Sequence, residues 1–531
     1  MWFADEAAPR GVGFVHVSGF SGRPRMPEIV GGGVALADVD GDGDLDLYFV
    51  QSGWAHLPQS PDPGGLTPAI NQLFINQGGG RFIESDPTGG HADGGYGMGV
   101  TTGDYDNDGD VDLYVTNLGT NRLLQNDGSG QFEDVTATAG VGDPGWSTAA
   151  LFADFDQDGD LDLFVANYLH WSEAVERDCF SRGQPTYCSP TAYDAPTMDR
   201  LYRNDGDGTF ADVTRHAGLD RGFGNGLGAV VADFNSDGLV DVFVANDRMR
   251  DQLWINRGDL VFVDEAARWG VAMDDNGIAK AGMGVSAADV DNDGDTDLLV
   301  VNFEGESDSF YINEGGYFVD ATARAAIAVA SRRHTRFGVV LADFDNDGVL
   351  DLYEANGKVD GDPSSTLDSF REPNALFRGA QGPDGILFGA FESGANNNKE
   401  GFTSRAVALG DIDNNGAYDL VVVNRDAPAQ LLMNTIGADN QWIGFAVKNA
   451  HGSPALGARV ALRVAGQPRY NTVRVAASYL AALDPRVHFG LASHSRVTDV
   501  SVLWPDGSTE QFGDFDAGRT YELRPGEIVS N

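Results

Sequence analysis

Short apolar runs bounded by glycine, asparagine and aspartate recur along the first four-fifths of the chain. A glycine-led run such as Gly33-Val34-Ala35-Leu36-Ala37 meets an acidic loop, and a second run, Leu45-Asp46-Leu47-Tyr48-Phe49-Val50, leaves it. A third run follows (Asn71 to Asn76), then a Gly/Asp turn and a fourth, Arg81-Phe82-Ile83-Glu84. The same order returns around Asp162-Leu163-Phe164-Val165, Arg200 to Asn204 and Thr209 to Asp212. Four short strands rich in aromatic and β-branched residues, joined by tight turns, predict one antiparallel propeller blade.

The acidic loop reads D-x-D-x-D-G-x-x-D, with occasional asparagine. Its copies begin at Asp38, Asp104, Asp154, Asp233, Asp289, Asp343 and Asp411. Self-similarity at a few tens of residues marks a repeat architecture. The ends of the series predict closure: Phe3-Ala4-Asp5 is a fourth strand with no third, and Gln430 to Asn434 is a third strand with no fourth. Pairing the two leftovers would complete a seventh blade and remove an open edge. From about Gln441 the pattern changes to runs at Gln441 to Lys448, Gly457 to Val464, Tyr470 to Ala476, Arg486 to Leu491, Val497 to Trp504 and Thr520 to Leu523. The expected fold is therefore all-β: a seven-bladed propeller over residues 1–436 and a small β-sandwich or barrel over 437–531.

Alternate oxygen ligands on a tightly curled loop converge on one cation, and glycine at position six permits the curl. The predicted ligands are Asp38, Asp40, Asp42 and Asp46 in the first copy and Asp104, Asp106, Asp108 and Asp112 in the second. In the third to fifth they are Asp154, Asp156, Asp158 and Asp162; Asp233, Asn235, Asp237 and Asp241; and Asp289, Asp291, Asp293 and Asp297. The last two offer Asp343, Asp345, Asp347 and Asp351, and Asp411, Asp413, Asn415 and Asp419. Position twelve falls inside a strand (Phe49, Val115), which excludes an EF-hand. Oxygen-only donor sets favour Ca²⁺, up to seven structural ions, over zinc or copper. The fourth and seventh loops carry fewer charges and should bind more weakly. Any single copy could be a solvated acidic turn; seven in register argue otherwise.

Composition narrows the partners. A net charge of −45 disfavours nucleic acid, and no apolar run is long enough to span a membrane. Cys179 and Cys188 could form one disulfide or remain two thiols. Loops of this kind suit calcium levels outside the cytoplasm, so a secreted, periplasmic or cell-surface monomer is expected; no signal peptide is read at Met1.

These residues resemble the FG-GAP/VCBS repeats of integrin α-subunit propellers and bacterial surface proteins. The resemblance is closer to the cartilage acidic protein family, whose propeller is followed by an ASPIC/UnbV domain. Here that domain resembles Gln441 to Phe445, Gly457-Ala458-Arg459-Val460, Ser478-Tyr479-Leu480, Arg486 to Leu491 and Trp504-Pro505-Asp506-Gly507. The resemblance implies a secreted, calcium-binding protein. Association of some members with natural-product pathways keeps an enzyme open.

The acidic loops should share one face, leaving the insertions Ser52 to Ile70, Tyr168 to Met198 and Gly357 to Pro373 on the other. Variable loops on a rigid scaffold are where ligands bind. Second strands end in Gln51, Asn117, Asn167, Asn246, Asn302, Asn356 and Asn424, which either form an amide-lined mouth or shape their own strand ends. Arg248, Arg336, Lys399, Arg405 and Arg425 would make the same face a basic funnel. Glu304, Glu354, His170 and Tyr168 are the acid–base candidates there. The leading expectation is a binding or adhesion module for a glycan, protein or anionic small molecule; the alternative is a cyclase, isomerase or hydrolase at the channel mouth.

Overall fold

The computed structural model describes residues 2–53, 69–181, 183–361, 368–391 and 401–527. Lys399 and most of the Ser52 to Ile70 insertion lie outside the described residues. Among the described residues, seven large antiparallel sheets occupy Phe3 to Asn434, each built around one acidic loop, with a two-stranded sheet of Cys179–Ser181 and Gln184–Thr186 beside them. The second sheet is typical: Tyr96–Gly103, Asp112–Leu118, Arg122–Asn126 and Phe132–Asp134, in sequence order. In the seventh, Phe3–Asp5 supplies the outer strand, with Phe3 opposite Asn434. First strands touch in succession, and Ser404–Gly410 of the seventh sheet contacts Val34–Ala37 of the first.

The loop repeat fixes its own geometry. Asp38 accepts the amides of Asp42 (3.1 Å) and Gly43 (3.0 Å). Gly43 sits at φ 90°, where a side chain would be strained. The last aspartate works inward: Asp46 accepts Val39 N–H through Oδ2 and Asn76 N–H through Oδ1. Asn76, closing the third strand, donates its side-chain amide to Ile412 O of the neighbouring sheet at 3.1 Å. The same side-chain bond joins Asn126 to Val39 O, Asn204 to Tyr105 O, Asn256 to Phe155 O, Asn313 to Phe234 O and Asn434 to Phe344 O. Each acidic loop except the fifth is thus stapled to the next sheet. The sixth sheet carries Gly379 at the corresponding position, where a Cβ would lie 2.0 Å from Leu350 O.

The C-terminal unit is two sheets enclosing Phe445, Val460, Val502 and Phe515. One contains Gln441–Val447, Val487–Ala492 and Thr520–Leu523; the other contains Arg459–Val464, Gln467–Thr472, Arg496–Leu503 and Thr509–Asp516. The expected strand Tyr470 to Ala476 ends instead at Thr472. The chain then leaves the unit as a buried finger. Ser478 pairs with Val285, Leu480 O accepts Val34 N–H, and Ala481–Ala482 adds a parallel strand to the first sheet. Tyr479, fully buried, donates to Val30 O at 2.9 Å and meets the Phe337 ring edge-on at 5.0 Å. Small side chains let the finger slide between first strands, which explains why its composition resembles a strand.

Candidate functional site

Acidic side chains converge at the loops. In the copies beginning at Asp38, Asp104, Asp154 and Asp343, carboxylate oxygens from positions one, three and five lie within 4.8 Å of one another; in the fifth, Asp289, Asp291 and Asp297 do so. Asp40, Asp106, Asp156, Asp345 and Asp413, all at position three, each keep a buried Oδ1 without a hydrogen-bond partner. A buried carboxylate oxygen left bare is costly, and this donor set fits a hard divalent cation. Burial first, and neighbouring carboxylates in addition, raise Asp154 to about 6 and Asp289 to about 7. Burial likewise lifts Asp46, Asp162, Asp241, Asp297 and Asp351 to about 8 against the pull of their backbone donors. In the fourth loop Asn235 turns its amide onto Asp237 at 2.9 Å. Beside the sixth, Arg378 pairs with Asp345 at 2.6 Å.

The C-terminal unit covers this acidic face. Arg459 donates to Gly294 O (2.8 Å), Asn440 to Asp345 O (2.8 Å) and Arg486 to Asp411 O (2.7 Å). His488, held near 4 by burial, meets Asn346 Oδ1 at 2.7 Å.

On the opposite face the amide-lined mouth is not formed. Asn117 donates to Thr120 O and Asp93, Asn167 to Met198 O and Asp143, and Asn246 to Arg250 O. Asn302 donates to Ser307 O, Asn356 to Pro373 O and Asn424 to Pro428 O. Each amide shapes the loop that follows its own strand, as asparagine does in turns.

The expected basic funnel is not formed by the described residues either. Arg336 is fully buried on Asp308 at 2.8 Å. Arg405, fully buried, gives its N–H groups to the carbonyls of Ile29, Gly357, Ser404 and Lys358 and lies 4.0 Å from the Phe337 centroid. Arg425 is buried over the Phe370 ring at 4.3 Å. Among the described residues of this set, Arg248 alone is exposed. Arg336 is turned inward by Asp308 and the carbonyl of Glu306, whereas Arg405 and Arg425 are turned inward over aromatic rings.

The acid–base candidates do not converge. Glu354 is buried inside the sixth sheet, where burial and Asp308 push its carboxyl well above the usual range. Glu304 and His170 are exposed on different connections. Tyr168 is buried, and its hydroxyl donates to Asp247 Oδ2 at 2.7 Å. Asp247, unnoticed in the sequence because it follows the more conspicuous Asn246, is raised to about 6 by burial. Both line a cavity of about 250 Å³ on the insertion face, floored by Ile29, Val30, Leu227 and Met283. Arg248 stands at its edge with a left-handed backbone (φ 58°). Its guanidinium lies 5.1 Å from the Phe303 centroid and 3.6 Å from Glu306. Cys179 and Cys188 form a disulfide, and Cys188 lines the same cavity.

Comparison with known proteins agrees with this architecture. The FG-GAP-like repeat signature matches residues 38–115, 104–165, 187–244, 233–300 and 289–354, and ASPIC and UnbV matches 448–529. Cartilage acidic protein 1 of Homo sapiens is 30% identical over 304 residues, covering 56% of this chain and 43% of that protein. The Xenopus tropicalis protein of the same name is 28% identical over 305 residues, 56% of this chain and 44% of its own. The chain therefore spans less than half the length of these relatives. Among solved structures, an Agrocybe aegerita lectin specific for non-reducing terminal N-acetylglucosamine aligns at 17% identity over 75% of this chain and 86% of its own, with a TM-score of 0.39. A rhamnogalacturonan lyase aligns at 14% identity over 76% and 71%, also at 0.39. With repeat matches across more than half its length and the C-terminal signature beside them, the chain belongs to the FG-GAP-like repeat family in its ASPIC and UnbV-bearing form.

Proposed function

We propose that the seven sheets are the blades of one closed propeller, that its loops bind up to seven structural Ca²⁺ ions, and that the molecule is an extracytoplasmic binding module. The observation that carries the calcium reading is the set of five buried, unpartnered Oδ1 atoms at loop position three. The disulfide supports an oxidising compartment. The C-terminal unit covers the acidic face, so the face with the insertions is the one left for a glycan or protein partner. The binding reading outweighs the enzyme because Glu354, Glu304 and His170 share no pocket.

Calcium bound only to the folded state stabilises it by mass action. At 2 mM Ca²⁺ and a dissociation constant of ~0.1 mM, each site contributes about 1.8 kcal/mol. Five filled sites would contribute about 9 kcal/mol, and with an unfolding entropy of ~1.1 kcal/mol/K for a chain of this size the melts in 2 mM CaCl₂ and in excess chelator should differ by about 8 °C. Equal melts would remove the structural role assigned to the ions.

A further inference from the structure

The cavity beside Tyr168 has room for a specific chemistry. Its volume, about 250 Å³, equals roughly eight waters at ~30 Å³ each. That suits one side-chain-sized group and is too small to enclose an oligosaccharide. The walls are apolar and aromatic: Ile29, Leu227, Met283, Phe303 and Phe337. The charged groups that line it are Asp247, Asp360 and Arg248.

These charges do not balance. Arg248 is engaged already, by Glu306 at 3.6 Å and by the Phe303 ring. Asp247 takes a hydrogen bond on Oδ2 only, from Tyr168, which fixes the carboxylate plane and leaves Oδ1 with no hydrogen bond among the described residues. Asp360 is exposed at the rim. Arg405, over Phe337, is saturated by backbone carbonyls, and Arg425 is held over the Phe370 and Tyr187 rings. A carboxylate set among aromatic rings, with a second at the rim, attracts an organic cation through ion pairing and through the negative faces of the rings.

The geometry points to the cavity as a receptor for an alkylammonium group: a cationic nitrogen against Asp247, its apolar stem over Met283 and Leu227. This rests on the binding-module reading and gives it a ligand chemistry. It reverses the anionic preference expected from the arginine-rich loops. The ammonium can be borne by a free amine or by a lysine side chain of a protein partner. Tyr168 is a positioning residue, holding the Asp247 carboxylate.

Calorimetric titration of the calcium-loaded protein tests this, with cadaverine, 1-pentanol, pentanoate and an Nα-acetyl-lysine amide as probes. Cadaverine should bind at least ~10-fold more tightly than 1-pentanol or pentanoate. Asp247→Asn should erase that preference while a calcium-dependent melt confirms its fold, and Tyr168→Phe should weaken it less. Met283→Trp, which fills the cavity, should abolish binding of every probe. Tighter binding by the lysine amide than by cadaverine assigns the site to a protein side chain; the reverse assigns it to a free amine. Pentanoate or pentanol binding as well as cadaverine, an undiminished preference in Asp247→Asn, or no binding by any probe overturns the inference. The calcium melt is independent of all these results, so loss of the ligand assignment leaves the calcium-stabilised module standing or falling on its own measurement.

Discussion

The asparagine staple between sheets makes the sharpest stability prediction. Asn256 is fully buried. Its Nδ2 donates to Phe155 O of the third sheet at 2.8 Å and to Val240 O at 3.3 Å, while Oδ1 accepts Gly258 N–H at 3.0 Å. Asn256→Ala removes all three bonds and leaves the Phe155 carbonyl without its side-chain donor. At about 1 kcal/mol for each bond, and more for a carbonyl left buried and bare, the loss is ~3 kcal/mol. Equilibrium unfolding in urea at fixed calcium should shift the midpoint down by about 1 M for a denaturant slope near 3 kcal/mol/M. Asn276→Ala, on an exposed turn, should leave the midpoint within ~0.2 M. An Asn256→Ala midpoint as close to wild type as that control would refute the staple as a stabilising bond between sheets.

Two further outcomes follow from buried groups. Tyr479→Ala deletes a fully buried ring and the bond to Val30 O; by analogy with aromatic truncations it should cost ~3–5 kcal/mol. Limited proteolysis should then cut near residues 473–486, and an unchanged digestion pattern would show that the finger docks without its tyrosine. Burial raises Asp251 to about 8 from 3.8, so between those values the folded state holds a proton that the unfolded chain has lost. Stability from this group is full below about pH 4 and falls as pH rises towards 8, by up to ~1.4 kcal/mol per unit. Asp251→Asn keeps the oxygen that accepts Asn246 N–H, so its melting advantage over wild type should grow from pH 5 to pH 8. A constant difference across that range would place the Asp251 proton elsewhere.

Much of the framework was legible because its determinants are local. Glycine at loop position six, aspartates on alternate residues and an apolar strand on either side are all short-range, and the sheets follow them. The unpaired Phe3-Ala4-Asp5 strand was legible for a different reason: its complement, Gln430 to Asn434, lacks a fourth strand in the same register. The asparagines at the ends of third strands were visible as a recurrence, but their acceptors lie up to 336 positions away, at Ile412 for Asn76. The finger was misread because Val473, Val475 and Ala476 continue an apolar alternation, whereas docking between first strands decides their place. Arginine direction was illegible for a similar reason. Arg405 stands in the pattern of an exposed funnel residue, yet Phe337 and four carbonyls fix it inside.

The pairing of Phe3 with Asn434 also sets a timetable. At ~10 residues per second a ribosome needs about 40 s to make the chain between the two partners. Through that interval Gln430 to Asn434 does not exist, and the Phe3–Asp5 edge has nothing to pair with. The first six sheets can form in order as they emerge, but the seventh waits for both ends of the chain. The finger comes later still, entering between strands that are already in place. A nascent chain of this protein therefore carries an open edge at each end for most of its synthesis, and that long-range last step makes it a slow folder and a candidate for chaperone dependence.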